Sequence, residues 1–165
     1  MTTNTNCCSS SLLNCGTDTP FFSFNGTECD AKIVSCYDGD TVHAVMDVFG
    51  KLFKFHCRLN GIDTPELKTR NMKEKAHAVV ARDALSKMIL HKIVRLKCKK
   101  FDKYGRLLID IYLPVTPEQE EGVENEKQNE KENLLFVNEW MVQNGFAHYY
   151  TGKTKQKWVF DNTVA

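Results

Sequence analysis

The stretch Arg58-Leu-Asn-Gly-Ile-Asp63-Thr64-Pro65-Glu66 places one guanidinium and two carboxylates within nine residues, directly after a strand-like run. Ionised side chains are buried only when they are paired or bound to a metal, so this density of charge does not suit a protein core. Pro65 holds the preceding Thr64 extended and has no N–H of its own, which favours an exposed Thr64 carbonyl. The residue types therefore indicate a site at a strand end.

Two further segments, Asp38-Gly-Asp-Thr41 and Asp102-Lys-Tyr-Gly-Arg106, carry groups of the same kind. Carboxylate and carbonyl oxygens without His or thiolate favour a hard cation such as Ca²⁺ or Mg²⁺ over zinc. Glu66 could orient or deprotonate a water, and Arg58 and Arg106 suit bidentate contact with a phosphate. The chemistry that these groups predict together is metal-assisted attack of water on a phosphodiester.

Each segment also has an ordinary structural interpretation when it is taken alone. Asp38-Gly39 is typical of a plain turn, and Asp102 with Arg106 of a surface ion pair. Arg58 would equally be solvated on the polar face of a strand. The five histidines show no metal-ligand spacing, so none is assigned a role.

Alternating hydrophobicity predicts the strands that position these segments. Residues 31–37 and 41–48 read as strands, and residues 53–59 form a hairpin with the second one. The alternation directs Phe53, Phe55, Cys57 and Leu59 inward and leaves Arg58 outward. Continued strictly, it would also place Arg58 and Asp63 on opposite faces, so we expect a bulge at Asn60-Gly61.

A helix is predicted over residues 72–91, which contain no Gly or Pro. Its predicted apolar stripe consists of Ala76, Val80, Ala84 and Met88, flanked by Val79, Leu85 and Ile89. Residues 93–98 and 107–113 alternate again as two strands, and a short helix is expected with Asn138 as its N-cap and Gly145 as its C′ stop. This order predicts an α+β fold, an OB-fold five-stranded Greek-key β-barrel with two to three helices.

Composition predicts one domain. The chain has 165 residues, 42% of them hydrophobic, which is enough for a single core. We expect a disordered polar tail over residues 1–20 and the folded domain over 21–165, with an acidic loop insertion at 114–133. The net charge of +1 conceals this acidic loop, so the rest of the chain is moderately basic, which is compatible with a polyanionic partner.

Targeting signals are not evident in the sequence. There is no run of 18 apolar residues, and the first 20 residues lack the charged start and apolar middle of a secretory signal. The compartment is not specified, and we expect an intracellular protein. The seven cysteines form no C-x-x-C pair, so most are expected to be reduced, buried thiols.

Taken together and in this order, DGDT, RLNGIDTPE, DKYGR and VNEWMVQNGFA resemble the staphylococcal-nuclease (thermonuclease) family from about Ala31 to Tyr149. The resemblance implies an OB-type barrel with helices and Ca²⁺-dependent hydrolysis of DNA and RNA to products with 3′-phosphates. It implies DNA and RNA partners that are single-stranded or locally unpaired. We expect no membrane partner and a monomer.

Matching the family's motifs residue by residue implies specific roles. Asp40, Asp63 and the Thr64 carbonyl would hold Ca²⁺, and Glu66 would act on the attacking water. Arg58 and Arg106 would hold the scissile phosphate, and Lys103 and Tyr104 would lie beside the substrate.

Two other functions are compatible with the sequence. The first is a non-catalytic module that binds nucleic acid or protein, against which the intact group of self-repelling carboxylates argues. The second is a metal-dependent phosphodiesterase acting on a small nucleotide. Assays on both classes of substrate would distinguish them.

Overall fold

A computed structural model describes residues 12–115, 133–153 and 155–158 of the chain. Its main feature is a barrel of five strands, with a three-stranded meander first and two further strands after a long helix. The barrel strands are β1 (Glu28–Cys36), β2 (Thr41–Val48), β3 (Lys51–Leu59), β5 (Ile93–Phe101) and β6 (Leu107–Pro114). The short strands are β4 (Ile62–Asp63), β7 (Leu134–Phe136) and β8 (His148–Tyr149), and the helices with described bounds are α1 (Met72–Ile89) and α2 (Val137–Gln143).

The barrel closes because its two outer strands meet. The strand order is β3-β2-β1-β5-β6, with antiparallel neighbours, and β3 then pairs in parallel with β6 through Cys57, Arg58 and Leu59. Strand β7 adds to the open side of β6, and β4 pairs with β8 in a separate two-stranded sheet. This architecture confirms the predicted α+β fold with an OB-type barrel.

The core fills the barrel from alternate strand positions, as the pattern predicts for β2, whose Val42, Ala44 and Met46 are all buried. On β3 the prediction holds for Cys57 and Leu59 but is wrong for Phe53, which is 47% exposed. Strand β3 pairs with β6 only from Cys57 onward. Its first half therefore extends beyond the closed part of the barrel, where there is no core to enter.

Helix α1 begins at an Asn71 N-cap, whose side chain accepts hydrogen bonds from the backbone N–H groups of Lys73 and Glu74. It ends at Ile89, two residues before the predicted end. The centre of the predicted stripe is wrong at Val80, which is 56% exposed, whereas its flanking residues Leu85 and Ile89 are buried as predicted. The other buried side chains of the helix are Ala78 and Ala81. Both stripes have helical spacing, and periodicity alone does not tell which one faces the barrel.

The break predicted at Asn60-Gly61 is present, as a turn between β3 and β4 and not as a bulge within a strand. Gly61 has a φ of 78°, in the left-handed region that glycine occupies without strain. The Asn60 N–H donates to the Ile109 carbonyl at 2.8 Å, and the Asn60 side chain donates to Asp110 at 3.1 Å. The turn is therefore fixed against β6, and it redirects the chain toward Arg58.

Asn138 is not the N-cap of the short helix, which corrects the sequence prediction. The helix starts at Val137, and its N-cap Phe136 provides no side-chain hydrogen bond. The buried Asn138 amide instead accepts from the Ile111 N–H and donates to the carbonyls of Asn60 and Ile109. Gly145, with a φ of 74°, follows the C-cap Asn144, as predicted for a C′ residue.

Several predicted segments lie partly outside the described residues. Residues 1–11 of the expected tail and 116–132 of the expected acidic loop are among those not described, so the domain boundaries stay predictions. Phe24 is buried in the core and anchors the segment before β1. Among the described residues, no helix has the length and apolar character to cross a bilayer.

Candidate active site

Gly39 allows two of the three predicted segments to touch. It lies between β1 and β2, and a Cβ placed there would come within 2.9 Å of Thr64 Cγ2 and 3.0 Å of Thr64 Cβ. Contacts that short do not occur between real carbon atoms, so only glycine permits this approach. The absence of a side chain at position 39 therefore brings the turn that carries Asp40 against the segment that carries Asp63 and Thr64.

Arg58 links the same two segments through its guanidinium. Its Nη1 lies 2.6 Å from Asp40 Oδ2, and its Nη2 lies 3.0 Å from Asp63 Oδ1. Strand pairing places Arg58 opposite Thr41, next to Asp40, and the Asn60-Gly61 turn returns Asp63 to the same side. One largely buried arginine thus compensates two buried carboxylates, with a third contact from Nη2 to the Ile62 carbonyl at 3.2 Å.

The electrostatics of the pair favour an additional cation. Burial raises the pKa of Asp40 to about 7, although the neighbouring Arg58 and a hydrogen bond from Thr41 oppose the rise. Burial disfavours the charge on Arg58, but Asp40 and Asp63 outweigh it and raise the pKa of Arg58. Arg58 alone therefore does not fully stabilise the charge of Asp40, and a cation beside Asp40 would favour the ionised carboxylate.

The donor atoms present fit a hard cation that keeps part of its water shell. Asp40, Asp63 and Thr64 are 3%, 4% and 3% exposed and supply two carboxylates and a backbone carbonyl. Within the described part of the chain, no three His, Cys, Asp or Glu side chains gather into a metal-binding group. Ca²⁺ binds six to eight oxygens and accepts carboxylates, carbonyls and waters, so this set suits it when water completes the coordination.

Glu66 lies at the exposed edge of the site and is paired with Lys155, a residue that the sequence analysis does not identify. Lys155 Nζ is 2.5 Å from Glu66 Oε1 and 3.0 Å from Asp63 Oδ1. Burial opposes the charge on Lys155, but its hydrogen bonds to Glu66 and Asp63 raise its pKa. The sequence signal for Lys155 is only a basic C-terminal run, which does not show that the chain returns to Asp63.

The Asp102–Arg106 segment forms a rigid turn on the opposite side of the cavity. Arg106 Nε and Nη2 each lie 2.7 Å from Asp102 Oδ2, and Asp102 Oδ1 accepts from the N–H groups of Tyr104 and Arg106. Burial opposes the charge on Asp102, but these hydrogen bonds and Arg106 lower its pKa. The ion pair anticipated as the ordinary interpretation is thus present. It also aims Arg106 at the cavity.

The cavity between these segments has a volume of about 530 Å³. It is lined by seven of the eight predicted site residues: Asp40, Arg58, Thr64, Glu66, Lys103, Tyr104 and Arg106. The eighth, Asp63, lines an adjoining cavity of about 260 Å³ that also contains Thr64, Glu66 and Lys155. The three segments singled out in the sequence therefore converge in space.

Four lining residues were not predicted as site residues: Asp38, which belongs to the first of the three segments, and His56, Tyr150 and Lys155, which belong to none of them. His56 stacks on His43 of the paired strand, with ring centroids 4.9 Å apart. Tyr150 follows β8, and its ring centroid lies 6.0 Å from Arg58 Cζ. The alternation of β3 places His56 two residues before Arg58 on the same face and could have identified it. Tyr150 reaches the site only because β8 pairs with β4.

A second cavity of about 540 Å³ opens beside the first and shares Arg58, Tyr104, Arg106 and Tyr150 with it. Its remaining walls include Leu108, which is partly exposed on β6, whereas the side chain of Leu59 is buried in the barrel core. Tyr104 is 72% exposed, with Lys103 Nζ 5.0 Å from its ring centroid. This region combines aromatic and aliphatic surface with cationic groups.

Comparison with known proteins relates the chain to one family. The model of the staphylococcal nuclease homologue family matches residues 56–162. The chain is 31% identical over 123 residues to a protein of Oryza sativa subsp. japonica named "Probable staphylococcal-like nuclease CAN2", covering 74% of this chain and 24% of that protein. It is 33% identical over 103 residues to the staphylococcal-like nuclease CAN1 of Arabidopsis thaliana, covering 62% of this chain and 24% of that protein.

A bacterial relative completes the comparison. The thermonuclease of Staphylococcus hyicus is 32% identical over 91 residues, covering 54% of this chain and 52% of that protein. The matches thus span 24% of the length of each plant relative and 52% of the bacterial one. The family model, in contrast, covers well over half of this chain, including Arg58, Asp63, Glu66 and Arg106. The chain therefore belongs to the staphylococcal nuclease homologue family.

Proposed function

We propose that this protein is a Ca²⁺-dependent nuclease that hydrolyses phosphodiester bonds of DNA and RNA and leaves 3′-phosphates. The observation that carries the proposal is the convergence of buried oxygen donors, Glu66 and two arginines on one open cavity. Each group has a part in phosphodiester hydrolysis, and a fold alone requires none of them at one place. Membership of the nuclease family supports the same reaction class.

Asp40, Asp63 and the Thr64 carbonyl are the residues that would hold Ca²⁺. When bound, the ion supplies Lewis-acid polarisation of the phosphate and a position for the attacking water. Burial of both carboxylates and the raised pKa of Asp40 support this assignment, because a divalent cation would compensate charge that Arg58 alone leaves partly uncompensated.

Glu66 would orient the water and take up its proton as the water oxygen bonds to phosphorus. The bond from phosphorus to the 5′ oxygen breaks, the phosphate stays on the 3′ side, and the 5′ oxygen leaves as a hydroxyl after gaining a proton from solvent. In the ligand-free protein Glu66 is held by Lys155. Proton uptake by Glu66 therefore requires this contact to loosen when substrate binds.

Arg58 and Arg106 would stabilise the negative charge that develops on the phosphate oxygens. Arg58 is fixed by Asp40 and Asp63, and Arg106 is fixed by Asp102. Fixed cations stabilise a transition state without reorganising, which is why such pairing assists catalysis. Lys103 and Tyr104 would contact the neighbouring nucleotide.

Single-stranded or locally unpaired substrates fit the second cavity best. Its two tyrosines, beside the partly exposed Leu108, can accept an unstacked base, since bases stack on aromatic rings whatever their sequence. In a continuous duplex the bases are paired and stacked, and they would have to unpair before entering such a cavity.

The test is hydrolysis of single-stranded DNA, RNA and a small nucleotide diester with Ca²⁺, with Mg²⁺ and with EGTA. We expect cleavage of both polymers with Ca²⁺, loss of cleavage in EGTA, and fragments whose ends are sensitive to a 3′-phosphatase. Binding without cleavage in Ca²⁺ would favour the non-catalytic module, and cleavage of the small diester alone would favour the nucleotide phosphodiesterase.

Substitutions at Glu66 and Arg106 test the catalytic roles proposed for these residues. Glu66→Gln and Arg106→Ala should each lower the rate by about a hundredfold or more. Arg82→Ala is the matched control, because it removes an arginine that pairs with its exposed neighbour Asp83 on α1 and does not line the cavity. Full activity in both site variants would rule out the proposed mechanism.

A further inference from the structure

The turn between β2 and β3 lies under a group of exposed apolar side chains, which we name the hairpin-tip patch. Its members and their exposed fractions are Phe21 99%, Phe22 62%, Phe49 89%, Leu52 73% and Phe53 47%. The rings of Phe22 and Phe49 lie 6.2 Å apart, and Phe22 packs edge-on against the core residue Phe24 at 4.8 Å. These ring contacts anchor the aromatic part of the patch to the barrel. Leu52 and Phe53 are neighbours in β3 and lie on opposite faces of the hairpin, so the patch surrounds the tip on both faces.

Phe49 is held in a backbone conformation that its side chain does not favour. Its φ is 55° and that of Gly50 is 78°, so both central residues of the turn are left-handed. A two-residue hairpin turn of this kind favours Asn-Gly, because Asn tolerates a positive φ and Phe does not. An Asn at position 49 would therefore make the turn more stable than Phe49 does. Burial of the Phe49 ring does not offset this strain, because the ring is exposed. Packing within the described fold does not explain Phe49.

Positive charge accompanies the patch. Lys51 and Lys54 follow the turn on β3 and are exposed, against one exposed carboxylate, Asp47, which accepts from the Gly50 N–H at 2.9 Å. Two lysines against one carboxylate leave the tip with a net positive charge. No carboxylate in the described ranges forms an ion pair with either lysine. Apolar rings beside unpaired lysines complement a surface with an anionic outer layer and an apolar layer beneath it.

We propose that the hairpin-tip patch docks this protein on the surface of an anionic lipid bilayer. The Phe and Leu side chains enter the interface between headgroups and acyl chains, and the lysines contact the anionic headgroups. This is peripheral binding and requires no spanning segment. It replaces the expectation of no membrane partner, which considered only segments that span a bilayer or direct secretion.

A second copy of the chain fits the patch less well than a bilayer does. A two-fold interface places the same patch on both sides, so Lys51 and Lys54 would face their own copies at close range. Lysines beside anionic headgroups are attracted to them instead. The charge of the patch therefore favours lipid over self-association.

Docking at the tip leaves the active-site cavity open. Arg58 and Thr41 are paired at one end of the β2–β3 hairpin, and Val48 and Lys51 at the other. Seven residues of strand separate these ends by about 23 Å, at roughly 3.3 Å per residue. This distance along the hairpin makes lipid binding separable from hydrolysis.

The experiment is co-sedimentation of the full chain with vesicles of phosphatidylcholine alone and of phosphatidylcholine with phosphatidylserine. We expect binding to the anionic vesicles, reduced by salt. Phe49→Asn should weaken the partition by about tenfold, since it removes one ring from the interface. Lys51→Glu with Lys54→Glu should weaken it further. Because Asn suits the turn, Phe49→Asn should melt no lower than the parent, which separates lost binding from misfolding.

Val80→Gln is the matched control, because it removes an exposed apolar side chain from α1 and should leave vesicle binding unchanged. Two results would overturn the proposal. One is no preference for anionic vesicles, or binding that Phe49→Asn does not weaken. The other is a concentration-dependent dimer in sedimentation that Phe49→Asn abolishes, which would assign the patch to a second copy. Hydrolysis of soluble substrate by Phe49→Asn should equal that of the parent, whichever result is obtained.

Discussion

The two ends of the β2–β3 hairpin differ in how their unusual residues are held. At the Thr41–Arg58 end, charged side chains are buried, and each has a partner within 3.0 Å. At the Val48–Lys51 end, apolar side chains are exposed around a strained Phe49. Contacts inside the protein hold the first end together, but the raised pKa of Asp40 means that they stabilise its negative charge incompletely. The second end is left exposed by the described contacts. Charge thus favours a ligand at the first end, and exposed apolar surface favours one at the second.

The largest effect is expected from Arg58→Ala, which removes the partner of two buried carboxylates. Unfolding free energy should fall by about 3 kcal/mol in EGTA, because an uncompensated buried charge is left behind. Hydrolysis should fall by about a thousandfold. Urea denaturation with and without Ca²⁺ measures the first effect, and Ca²⁺ should recover part of the loss. Equal stability of parent and variant in EGTA would show that the charges at this end do not depend on Arg58.

Gly39→Ala should come next, because its new Cβ must displace Thr64, whose carbonyl is a proposed ligand. A displacement of under 1 Å should lower the rate by about a hundredfold. The expected signature is a higher Ca²⁺ requirement together with a small change in melting temperature, and calcium titrations of activity and calorimetry separate the two. Unchanged calcium dependence would argue against contact between the two turns.

Lys155→Ala should alter calcium binding more than folding. Lys155 neutralises Asp63 and Glu66 in the metal-free protein, so it competes with a cation for Asp63. Its removal should tighten Ca²⁺ binding by about threefold to tenfold, as expected for one partly exposed charge contact. Isothermal titration calorimetry measures this directly. Lys157→Ala is the control. Lys157 belongs to the same segment, and no ion pair with Asp63 or Glu66 is described for it.

The pH dependence of the metal-free protein should reveal Asp40. Its pKa is raised from 3.8 to about 7 by burial, so between these values the folded state holds a proton that the unfolded state has released. Stability from this group is therefore lost as pH rises toward 7. Urea denaturation in EGTA from pH 5 to 8 should show the unfolding free energy falling with rising pH up to about pH 7. Other titrating groups add their own pH dependence to this curve. Asp40→Asn should remove it, and the same slope in that variant would assign it elsewhere.

The smallest effect concerns the opposite end of the hairpin. Phe49→Asn should raise the unfolding free energy by up to about 1 kcal/mol, because Asn accepts the positive φ that strains Phe. Thermal unfolding measures it. A marked loss of stability instead would show that the Phe49 ring packs productively and that the two ends of the hairpin do not differ in the way described.

The sequence predicted what short-range chemistry determines. Alternation identified the barrel strands, and the odd spacing between Arg58 and Asp63 required the break found at Gly61. It did not predict which stripe of α1 faces the barrel, because Val80 and Ala81 both have helical spacing, and burial depends on a partner distant in sequence. Asn138 was misassigned for the same reason, since its partners are Asn60, Ile109 and Ile111.

Tyr150 and Lys155 illustrate a second limit of sequence reasoning. Neither lies in a recognisable motif, and each reaches the cavity because a late segment of the chain returns to an early one, through β8 on β4 in the case of Tyr150. Aromatic and basic residues near the end of a chain are common, so their types alone do not indicate a site. Long-range pairing, which a single sequence does not display, decides their role.

The hydrogen bonds of Asn138 also set an order of events during synthesis. A ribosome releases the early barrel strands and both site carboxylates before Asn138, Tyr150 and Lys155 exist. Until Asn138 docks, nothing from α2 joins the Asn60 turn to β6, and the cavity lacks its last wall. A nascent chain thus passes through a stage in which Asp40 and Asp63 have been synthesised but the active-site cavity is incomplete. With the activity on RNA proposed above, this delay would spare the message that is being translated.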